Sequence, residues 1–531
     1  MTGTVPQPSP RIRSWWGWGW ADQHPDDAEC RAMGAMLPGT LARPLPVPRV
    51  ADLRIGAPAV QPPPSLAHVI SADPAERAAR AMGKAYRDIA RALRGRPGRI
   101  PDLVARPATE QEVSDLLDWA GGQGVAVVPY GGGSSVTGGV EYRGDAHRAV
   151  LCLDLGAMGR VLEVDATGRA ARIQAGTLGP SLEQQLRPHG LTLRHFPQSF
   201  EFSSLGGWLA TRAGGHYATG RTHIDEFVQS LRVVTPAGVS ASWRLPASGA
   251  GPSPDRLFLG SEGALGVITE AWVRLQDRPV HKASASVAFG AFADALDAVR
   301  LIAQSDLMPA NCRLLDSGEA ALAGAAQDGS AVLVLGFESA DAPVTDLLAR
   351  AVEVARSCGG RPADASGAAG GDAAVGAWRA AFLRMPYLRD GLARMGAVAE
   401  TFETAATWDR IPGLIEAVRT EVGTAALKAT GHPATVNCRL THVYPDGAAP
   451  YFTVLAAGRP GEEAAVWDEL KAVAGEVLHR YGATVTHHHA VGRDHRPGYD
   501  LQRPEPFALA LRAAKTALDP RGILNPGVLV D

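Results

Sequence analysis

The fold is decided by the stretch Pro129-Tyr130-Gly131-Gly132-Gly133-Ser134-Ser135-Val136-Thr137-Gly138-Gly139, which directly follows the apolar run Val125-Ala126-Val127-Val128. Glycines this dense at the end of a predicted strand let backbone N–H groups approach an anion closely, and the serine and threonine hydroxyls add donors. No Lys-Ser or Lys-Thr pair closes the stretch, and it lacks the Gly-x-Gly-x-x-Gly spacing of a Rossmann fingerprint. It therefore predicts a phosphate or pyrophosphate site, with a flexible loop in a glycine-rich chain as the alternative.

Two later segments repeat this pattern of small residues beside apolar ones: Ser203-Ser204-Leu205-Gly206-Gly207-Trp208-Leu209-Ala210-Thr211 and Gly260-Ser261-Glu262-Gly263-Ala264-Leu265-Gly266-Val267-Ile268-Thr269-Glu270. Three such segments in this order resemble the flavin-binding domain of the vanillyl-alcohol oxidase and p-cresol methylhydroxylase superfamily. The resemblance implies FAD, with its pyrophosphate at the first loop. Relatives with covalently attached flavin usually carry a His in that loop, where this chain has Gly and Ser, so the FAD is expected to be non-covalent.

The same resemblance implies a fold class and a set of cofactor-binding residues. The expected fold is α+β, with a two-part FAD-binding domain and a separate substrate or cap domain of antiparallel sheet and helices. The expected boundaries are an N-terminal segment over residues 1–95, the FAD-binding domain over 96–278, the cap domain over 279–485, and a returning C-terminal segment over 486–531. The implied cofactor-binding residues are Pro129, Tyr130, Gly131, Gly132, Gly133, Ser134, Ser135, Thr137, Gly138, Ser203, Ser204, Gly206, Gly207, Thr211, Arg212, Glu262, Gly263, Gly266, Val267 and Ile268.

Length and composition describe an ordinary globular protein of two or more domains. The chain has 531 residues, of which 46% are hydrophobic and 20% charged, and a single core does not grow to this size. The 52 basic and 55 acidic residues provide no global field for nucleic acid. Neither a spanning apolar run nor a signal peptide is seen, so the predicted location is cytoplasmic. The Ala, Arg and Gly richness suggests a bacterial source, and the five isolated cysteines suggest no zinc ribbon or disulfide framework.

Local patterns predict several elements. The first ~65 residues are Pro-rich and are expected to run extended over the surface. Within them the aromatic stretch 15–20 is expected to pack on the folded body or a partner subunit, with a membrane interface as the lesser alternative. Helices are predicted over Ala75 to Leu93, Glu110 to Gln123, Phe292 to Ala303 and Pro506 to Leu518. The Ala/Gly-rich stretch 363–374 is predicted to be a mobile loop over or beside the site.

The sharpest feature of the C-terminal third is His487-His488-His489. On a strand, consecutive residues point to opposite faces, so at most two of these imidazoles can share one site unless the chain turns there. Metal binding is one interpretation, because His-rich tracts bind metals. Proton transfer or phosphate binding is preferred, because no carboxylate lies close in sequence and imidazole titrates near neutral pH.

Further segments resemble one branch of the superfamily, the alkyldihydroxyacetonephosphate synthases. They are Pro386-Tyr387-Leu388-Arg389-Asp390, Glu400-Thr401-Phe402-Glu403-Thr404 and the stretch from Cys438 to Phe452, followed by the triple His. The resemblance runs from about Trp15 to the C-terminus. It implies Tyr451, His487, His488 and His489 as catalytic residues and Arg389 and Arg313 as substrate-binding residues.

That family exchanges the acyl chain of acyl-dihydroxyacetone phosphate for a long-chain fatty alcohol in ether-lipid synthesis. The resemblance implies that Tyr451 and the histidines remove a proton beside the ketone and that the carbon is captured at flavin N5. It also implies a homodimer and peripheral membrane contact.

Other interpretations remain open at this point. Tyr451 could be an ordinary strand residue, Arg389 half of a surface ion pair with Asp390, and Arg313 a buried structural partner of Asp316 or another carboxylate. Thr211 and Arg212 could cap a helix. An FAD-dependent 2-hydroxyacid dehydrogenase is the main alternative function. An alcohol or sugar oxidase and a catalytically silent binding module follow it.

Overall fold

The computed structural model describes residues 11–362 and 370–531. Its strands, in chain order, are β1 Ile70–Ser71, β2 Leu103–Ala105, β3 Val125–Tyr130, β4 Ala149–Asp154, β5 Val161–Asp165, β6 Ala170–Gln174, β7 Leu191–Thr192, β8 Val228–Thr235, β9 Gly238–Ala241, β10 Val267–Arg274, β11 Gln276–Asp277, β12 His281–Phe289, β13 Asn311–Leu315, β14 Ala331–Ser339, β15 Arg361–Pro362, β16 Ala397–Glu403, β17 Ala406–Thr407, β18 Thr435–Val443 and β19 Gly447–Ala457.

The helices between and after these strands are α1 Asp27–Gly34, α2 Pro74–Ala78, α3 Tyr86–Leu93, α4 Glu110–Gln123, α5 Gly179–Leu186, α6 Leu205–Thr211, α7 Asp255–Phe258, α8 Phe292–Ala303, α9 Ser317–Leu322, α10 Thr345–Ser357, α11 Gly370–Arg394, α12 Ile411–Thr430, α13 Glu463–Arg480, α14 Arg496–Gln502 and α15 Glu505–Leu518. In the described part of the chain, the helices are all too short or too polar to cross a membrane.

The first domain contains two sheets around one core. In the sheet β1-β2-β4-β3 the strands β2, β4 and β3 run parallel, and the sheet β5-β6-β10-β8-β9 is antiparallel. The end of the chain returns to this core, where Ile523 and Leu524 are buried and the Val127 N–H donates to the Ile523 carbonyl at 2.8 Å.

The second domain is one antiparallel sheet covered by helices. Its strand order is β15-β12-β14-β13-β18-β19-β16, with β17 pairing β19. Apolar side chains of α8, α10, α12 and α13 pack on the sheet in one core, which α3 joins through Tyr86 and Ile89. The second domain therefore recruits a helix from the N-terminal segment.

Local signals account for the helix bounds where they were predicted correctly. Thr109 caps α4 by accepting from the Glu112 N–H at 3.2 Å, and Gly124 ends the helix at φ 65°, where a glycine has no Cβ penalty. The predictions for α4 and α8 are confirmed residue for residue, and the predicted final helix starts one residue earlier, as α15.

The predicted helix over Ala75 to Leu93 is wrong in its middle. It divides into α2 and α3, and the intervening backbone bonds the glycine loop, because the Lys84 N–H donates to the Ser135 carbonyl at 2.6 Å. A Cβ on Gly83 would overlap that same carbonyl oxygen. Close approach to the loop therefore interrupts the helix.

The N-terminal aromatic stretch packs on the folded body, as predicted. Trp16 and Trp18 are 3% and 6% exposed, and the Trp18 N–H donates to Asp390 Oδ2 at 2.6 Å. The segment is not extended throughout, since α1 forms with Asp26 as its capping residue. Of the predicted mobile loop, residues 363–369 lie outside the described residues and 370–374 begin α11.

Replacing Asp390 with Ala should loosen this N-terminal docking. The buried carboxylate accepts from Trp18 and, through Oδ1, from Arg389 Nε at 3.0 Å and Nη2 at 2.8 Å. Loss of the carboxylate leaves the largely buried guanidinium of Arg389 without its anion. The free energy of unfolding should therefore fall by about 3–5 kcal/mol. Urea unfolding and protease sensitivity before residue 27 measure the change. Asp52→Ala, at an exposed ion pair, is the control, and equal behaviour of the two variants would contradict the docking role.

Candidate active site

A cavity of about 690 Å³ lies between the two domains. The first domain contributes the glycine loop after β3 and segments around residues 203–215 and 262–268. The second domain contributes polar side chains including Arg313, Arg439 and Tyr451, and apolar ones including Leu392 and Leu455. The site is thus lined by both polar and apolar side chains.

Most of the predicted cofactor-binding residues line this cavity. They are Pro129, Tyr130, Gly131, Gly132, Gly133, Ser134, Ser135, Ser203, Ser204, Gly206, Gly207, Thr211, Glu262, Gly263, Gly266, Val267 and Ile268.

Thr137, Gly138 and Arg212 do not line it. The Thr137 and Gly138 carbonyls face the C-terminal segment and accept from Arg493, at 2.9 Å and 2.8 Å. Arg212 ends α6 in the left-handed conformation and pairs with Asp225 at 3.1 Å, with its side chain 55% exposed.

The glycine loop fits the pyrophosphate of FAD by the way it is packed. A Cβ on Gly131 would overlap Ser204 Oγ, and one on Gly132 would overlap the Phe202 carbonyl oxygen. Gly133 has φ +70°, a conformation that L side chains rarely adopt. Only glycine therefore lets this backbone lie against the 202–204 segment, where residues 131–135 line the cavity.

The triple-His segment turns because two buried carboxylates hold its backbone. Glu403, at the end of β16, accepts the N–H groups of His487, His488 at 3.0 Å and His489 at 2.7 Å. From the first domain, Glu262 accepts those of Val491 at 2.9 Å and Gly492 at 2.9 Å. The segment is not a strand, so the alternation that would separate the three imidazoles does not apply.

The charge states of these groups follow from burial and contacts. Burial opposes ionisation of Glu403, but His489, His487 and the backbone donors lower its pKa to about 2. Burial raises the pKa of Glu262 to about 7, against the opposing effect of its N–H donors. Burial also lowers the pKa of His487 and of His488 well below the ordinary value. The imidazoles are consequently neutral at pH 7.

Tyr451 lies on β19 beside a buried cation. The Arg439 guanidinium is 3.7 Å from its ring centroid and pairs with Glu319 at 2.7 Å. The rings of His488 and His489 lie 6.3 Å and 5.6 Å from the phenol ring. Burial raises the pKa of Tyr451, and Arg439 opposes that rise. The arrangement brings a phenol, a cation and neutral imidazoles to one wall of the cavity.

The two predicted substrate-binding arginines both line the cavity. Arg389 forms its ion pair with Asp390 at 2.8 Å, but the pair is buried rather than on the surface. Arg313 donates to the His216 carbonyl at 3.0 Å, while Asp316 pairs with Arg419 instead. Burial and Arg439 lower the pKa of Arg313 to about 9, so an anion in the cavity would favour its charged form.

His487 does not line the cavity, whereas His488, His489 and His442 do. His487 instead bonds the Tyr444 hydroxyl through Nε2 at 2.8 Å. Two triplets, His442 with His487 and His488, and Glu403 with His488 and His489, have donor atoms within 4.8 Å of one another. Both ring nitrogens of His442 already have partners, Thr441 and Gly215. That no metal is bound stays a prediction.

Sequence reasoning assigned no role to three residues of this site: Glu403, Arg439 and His442. Glu403 and the histidines are more than 80 residues apart, so no spacing rule joins them. For Arg439 there is a partial signal. The Pro445-Asp446-Gly447 turn between two strand-like runs indicates a hairpin that pairs the strand of Arg439 with the strand of Tyr451. His442 lies on the same strand, beyond the bulge described by the shift between Leu440 and His442.

Comparisons with known proteins agree with this geometry. Residues 101–241 match the FAD binding domain family and residues 278–529 match the C-terminal domain of FAD linked oxidases. An alkyldihydroxyacetonephosphate synthase of Trypanosoma brucei brucei is 30% identical over 476 residues, covering 85% of this chain and 76% of that protein. A solved alkyldihydroxyacetonephosphate synthase structure matches with TM-score 0.79 and 25% identity over 97% of this chain and 98% of that one.

The structure of p-cresol methylhydroxylase shares the fold alone, with TM-score 0.68 and 14% identity over 87% of this chain and 94% of that one. The predicted fold class and the predicted FAD are therefore confirmed. The attachment of the FAD and the individual site residues stay predictions.

Gly132→Ala should produce a protein that loses FAD. The added Cβ overlaps the Phe202 carbonyl, so either the loop or the 202–204 segment must move away from the pyrophosphate position. Flavin absorbance per chain after gel filtration measures the loss. Gly290→Ala is the matched control, because a Cβ there meets nothing within 4 Å. Full flavin content in Gly132→Ala would contradict the assignment.

Glu403→Gln should destabilise the protein in a pH-dependent way. The N–H groups that share the carboxylate in wild type would have only one acceptor oxygen in the amide. The free energy of unfolding should therefore fall by about 3 kcal/mol. Because the folded pKa lies below the unfolded value near ~4.3, the carboxylate's contribution is complete above that value. It is lost as pH falls toward about 2.

Urea midpoints between pH 7 and pH 3 measure this effect. The gap between wild type and Glu403→Gln should narrow as pH falls, whereas Glu476→Gln, at an exposed position of α13, should match wild type throughout. A gap that is constant with pH would mean that the ionised carboxylate is not what holds the segment.

Proposed function

Because the chain belongs to the alkyldihydroxyacetonephosphate synthase family, we propose that it makes alkyl-dihydroxyacetone phosphate. In this reaction the acyl chain of an acyl-dihydroxyacetone phosphate is exchanged for a long-chain alcohol, as a step of ether-lipid synthesis. FAD is the cofactor.

The observation that carries the proposal is the composition of one cavity. It joins the glycine loop to Tyr451 and to two buried arginines, and its remaining wall includes Met33, Leu392 and Leu455. A substrate with a phosphate, a ketone and a long alkyl chain needs all three environments at once. A small 2-hydroxyacid would leave the apolar wall without a partner.

The arginines support binding of the phosphate. A guanidinium presents a planar fork of donors that suits phosphate oxygens. Arg313 is held in place by the His216 carbonyl and Arg389 by Asp390, so both charges are oriented before substrate arrives. Orientation in advance lowers the entropy lost on binding.

In the proposed reaction, Tyr451 takes a proton from the carbon between the ketone and the acyloxy oxygen. Burial raises the pKa of Tyr451 above the ordinary value near ~10, and Arg439 beside the ring opposes that rise by favouring the phenolate. His488 and His489, being neutral, can receive the proton in turn. Bound FAD supplies an electrophilic ring for the carbon that loses its acyloxy group.

The proposal also covers how the enzyme reaches its lipid substrates and how it is assembled. Met36 lines the cavity and is 72% exposed, which gives the apolar wall an edge that a lipid surface could contact. We propose on this basis that the enzyme meets its substrates by peripheral membrane contact. We also propose a homodimer with non-covalent FAD, on the resemblance of the sequence to its family.

The test is to incubate the FAD-loaded enzyme with palmitoyl-dihydroxyacetone phosphate and hexadecanol and to follow both products by mass spectrometry. Wild type should release palmitate and form the ether in equal amounts. Tyr451→Phe should lower kcat by about 100-fold or more, the size expected for loss of a general base. Tyr481→Phe, outside the cavity, is the control.

Flavin reduction distinguishes the alternatives. Bleaching by D-lactate or glycolate without ether formation would replace the proposal with the 2-hydroxyacid dehydrogenase. A response to neither set of substrates would support the silent binding module.

A further inference from the structure

A continuous line of hydrogen bonds leads from the cavity toward the surface of the first domain. His488 Nδ1 lies 3.0 Å from His487 Nδ1, and His487 Nε2 lies 2.8 Å from the Tyr444 hydroxyl. That hydroxyl is 3.0 Å from Thr222 Oγ1, which is 3.1 Å from His223 Nδ1. The line ends where His223 Nε2 lies 2.9 Å from the His487 carbonyl oxygen.

The last contact fixes the direction of all the others. A carbonyl oxygen can only accept, so His223 Nε2 carries a proton, and in the neutral form of the ring Nδ1 accepts. Thr222 then donates to His223, and Tyr444 donates to Thr222. His487 donates to Tyr444 from Nε2, which leaves its Nδ1 to accept from His488. Each of the five side chains thus donates in one of the five hydrogen bonds, and no hydrogen bond has two donors or none.

This assignment leaves His488 with an unprotonated Nε2. His488 lines the cavity, whereas Thr222, His223, Tyr444 and His487 do not. The line therefore has a basic nitrogen at its inner end and a half-buried imidazole, His223, at its outer end. Each donor points to the next group of the line, and the last, His223 Nε2–H, points to the His487 carbonyl.

The proposed reaction needs such an exit. The alcohol O–H bond breaks as the ether C–O bond forms, the carbon regains the proton that Tyr451 removed, and the acyloxy group leaves with its electron pair as a carboxylate. A fatty acid is ionised at neutral pH, as carboxyls with pKa near ~4 are. One proton must therefore leave the cavity in each turnover, past a wall that is largely apolar.

We infer that His488, His487, Tyr444, Thr222 and His223 form a relay that carries this proton from the cavity to solvent. The inference rests on the proposed function. His488 takes the proton at Nε2 and passes its Nδ1 proton to His487, and the shift continues through both hydroxyls to His223. Rotation of the hydroxyls and tautomerisation of the rings then reset the line.

The surroundings favour transient positive charge on this line. Glu403 contacts the backbone of His487 and His488 and stays ionised, so its charge stabilises an imidazolium there. Glu226 accepts from the backbone N–H of Thr222 and of His223, at 2.7 Å and 3.0 Å. His442 stacks beside His223 and His487 and is neutral because burial lowers its pKa.

A matched pair of variants at Thr222 tests the relay. Thr222→Val keeps the shape of a buried side chain and removes the hydroxyl, whereas Thr222→Ser keeps the hydroxyl. Thr222→Val should lower kcat about 100-fold with both KM values unchanged, and added imidazole should restore part of the rate. Thr222→Ser should stay within about twofold of wild type. In stopped flow with a pH indicator, proton release should lag ether formation only in Thr222→Val.

Tyr444→Phe is the second variant, used if Thr222→Val loses its fold or its flavin, and the same loss, lag and rescue are expected. Wild-type kcat with no lag in either folded variant would overturn the relay. A wild type that makes no ether would instead overturn the proposed function. The proton assignment is tested without turnover by NMR of protein labelled with ¹⁵N-histidine. His488 should be the Nδ1–H tautomer and His487 and His223 the Nε2–H tautomer, and an Nε2–H tautomer at His488 would refute the relay.

Discussion

The active site depends on one carboxylate that accepts the backbone N–H groups of three consecutive residues. Glu403 ends a strand of the second domain and holds His487, His488 and His489 in a turn. A regular strand would have sent alternate imidazoles to opposite faces. Glu262 of the first domain holds the same segment further along, where it accepts the N–H groups of Val491 and Gly492. A piece of chain without secondary structure is thereby fixed between two domains, and its side chains remain available for chemistry.

Burial then decides what these side chains can do. Burial disfavours the charged form of an imidazole. The buried imidazoles are therefore neutral at pH 7, and each has an unprotonated nitrogen that can accept a proton. The cations of the site are guanidiniums, which stay charged when buried more readily than imidazoles do. Arg439 is placed against Tyr451 and is itself balanced by Glu319. The cavity thus contains buried charged guanidiniums beside neutral imidazoles.

Sequence alone predicted what is locally encoded. The glycine loop was predicted from its density of glycine, and α4 and α8 from the pattern of their residues. The prediction that Tyr451 and the three histidines are catalytic came from resemblance to a family. The contact between Arg439 and Tyr451 was beyond reach, because the turn at residues 444–447 would place Phe452 opposite Arg439. A bulge between Leu440 and His442 shifts the register by one residue and brings Tyr451 there instead. A one-residue shift exchanges the two faces of a strand.

The two anchoring carboxylates respond to pH with opposite signs. Glu403 has a folded pKa of about 2, so its stabilisation is present above the unfolded value near ~4.3 and fades below it. Glu262 has a folded pKa raised by burial to about 7, so between ~4.3 and 7 the unfolded state loses its proton first and stability falls as pH rises. The contribution of Glu262 to folding stability therefore falls over the range where that of Glu403 is complete. Because Glu403 keeps its charge throughout that range, the geometry of the three histidines is set by the second domain, which also supplies Tyr451 and Arg439.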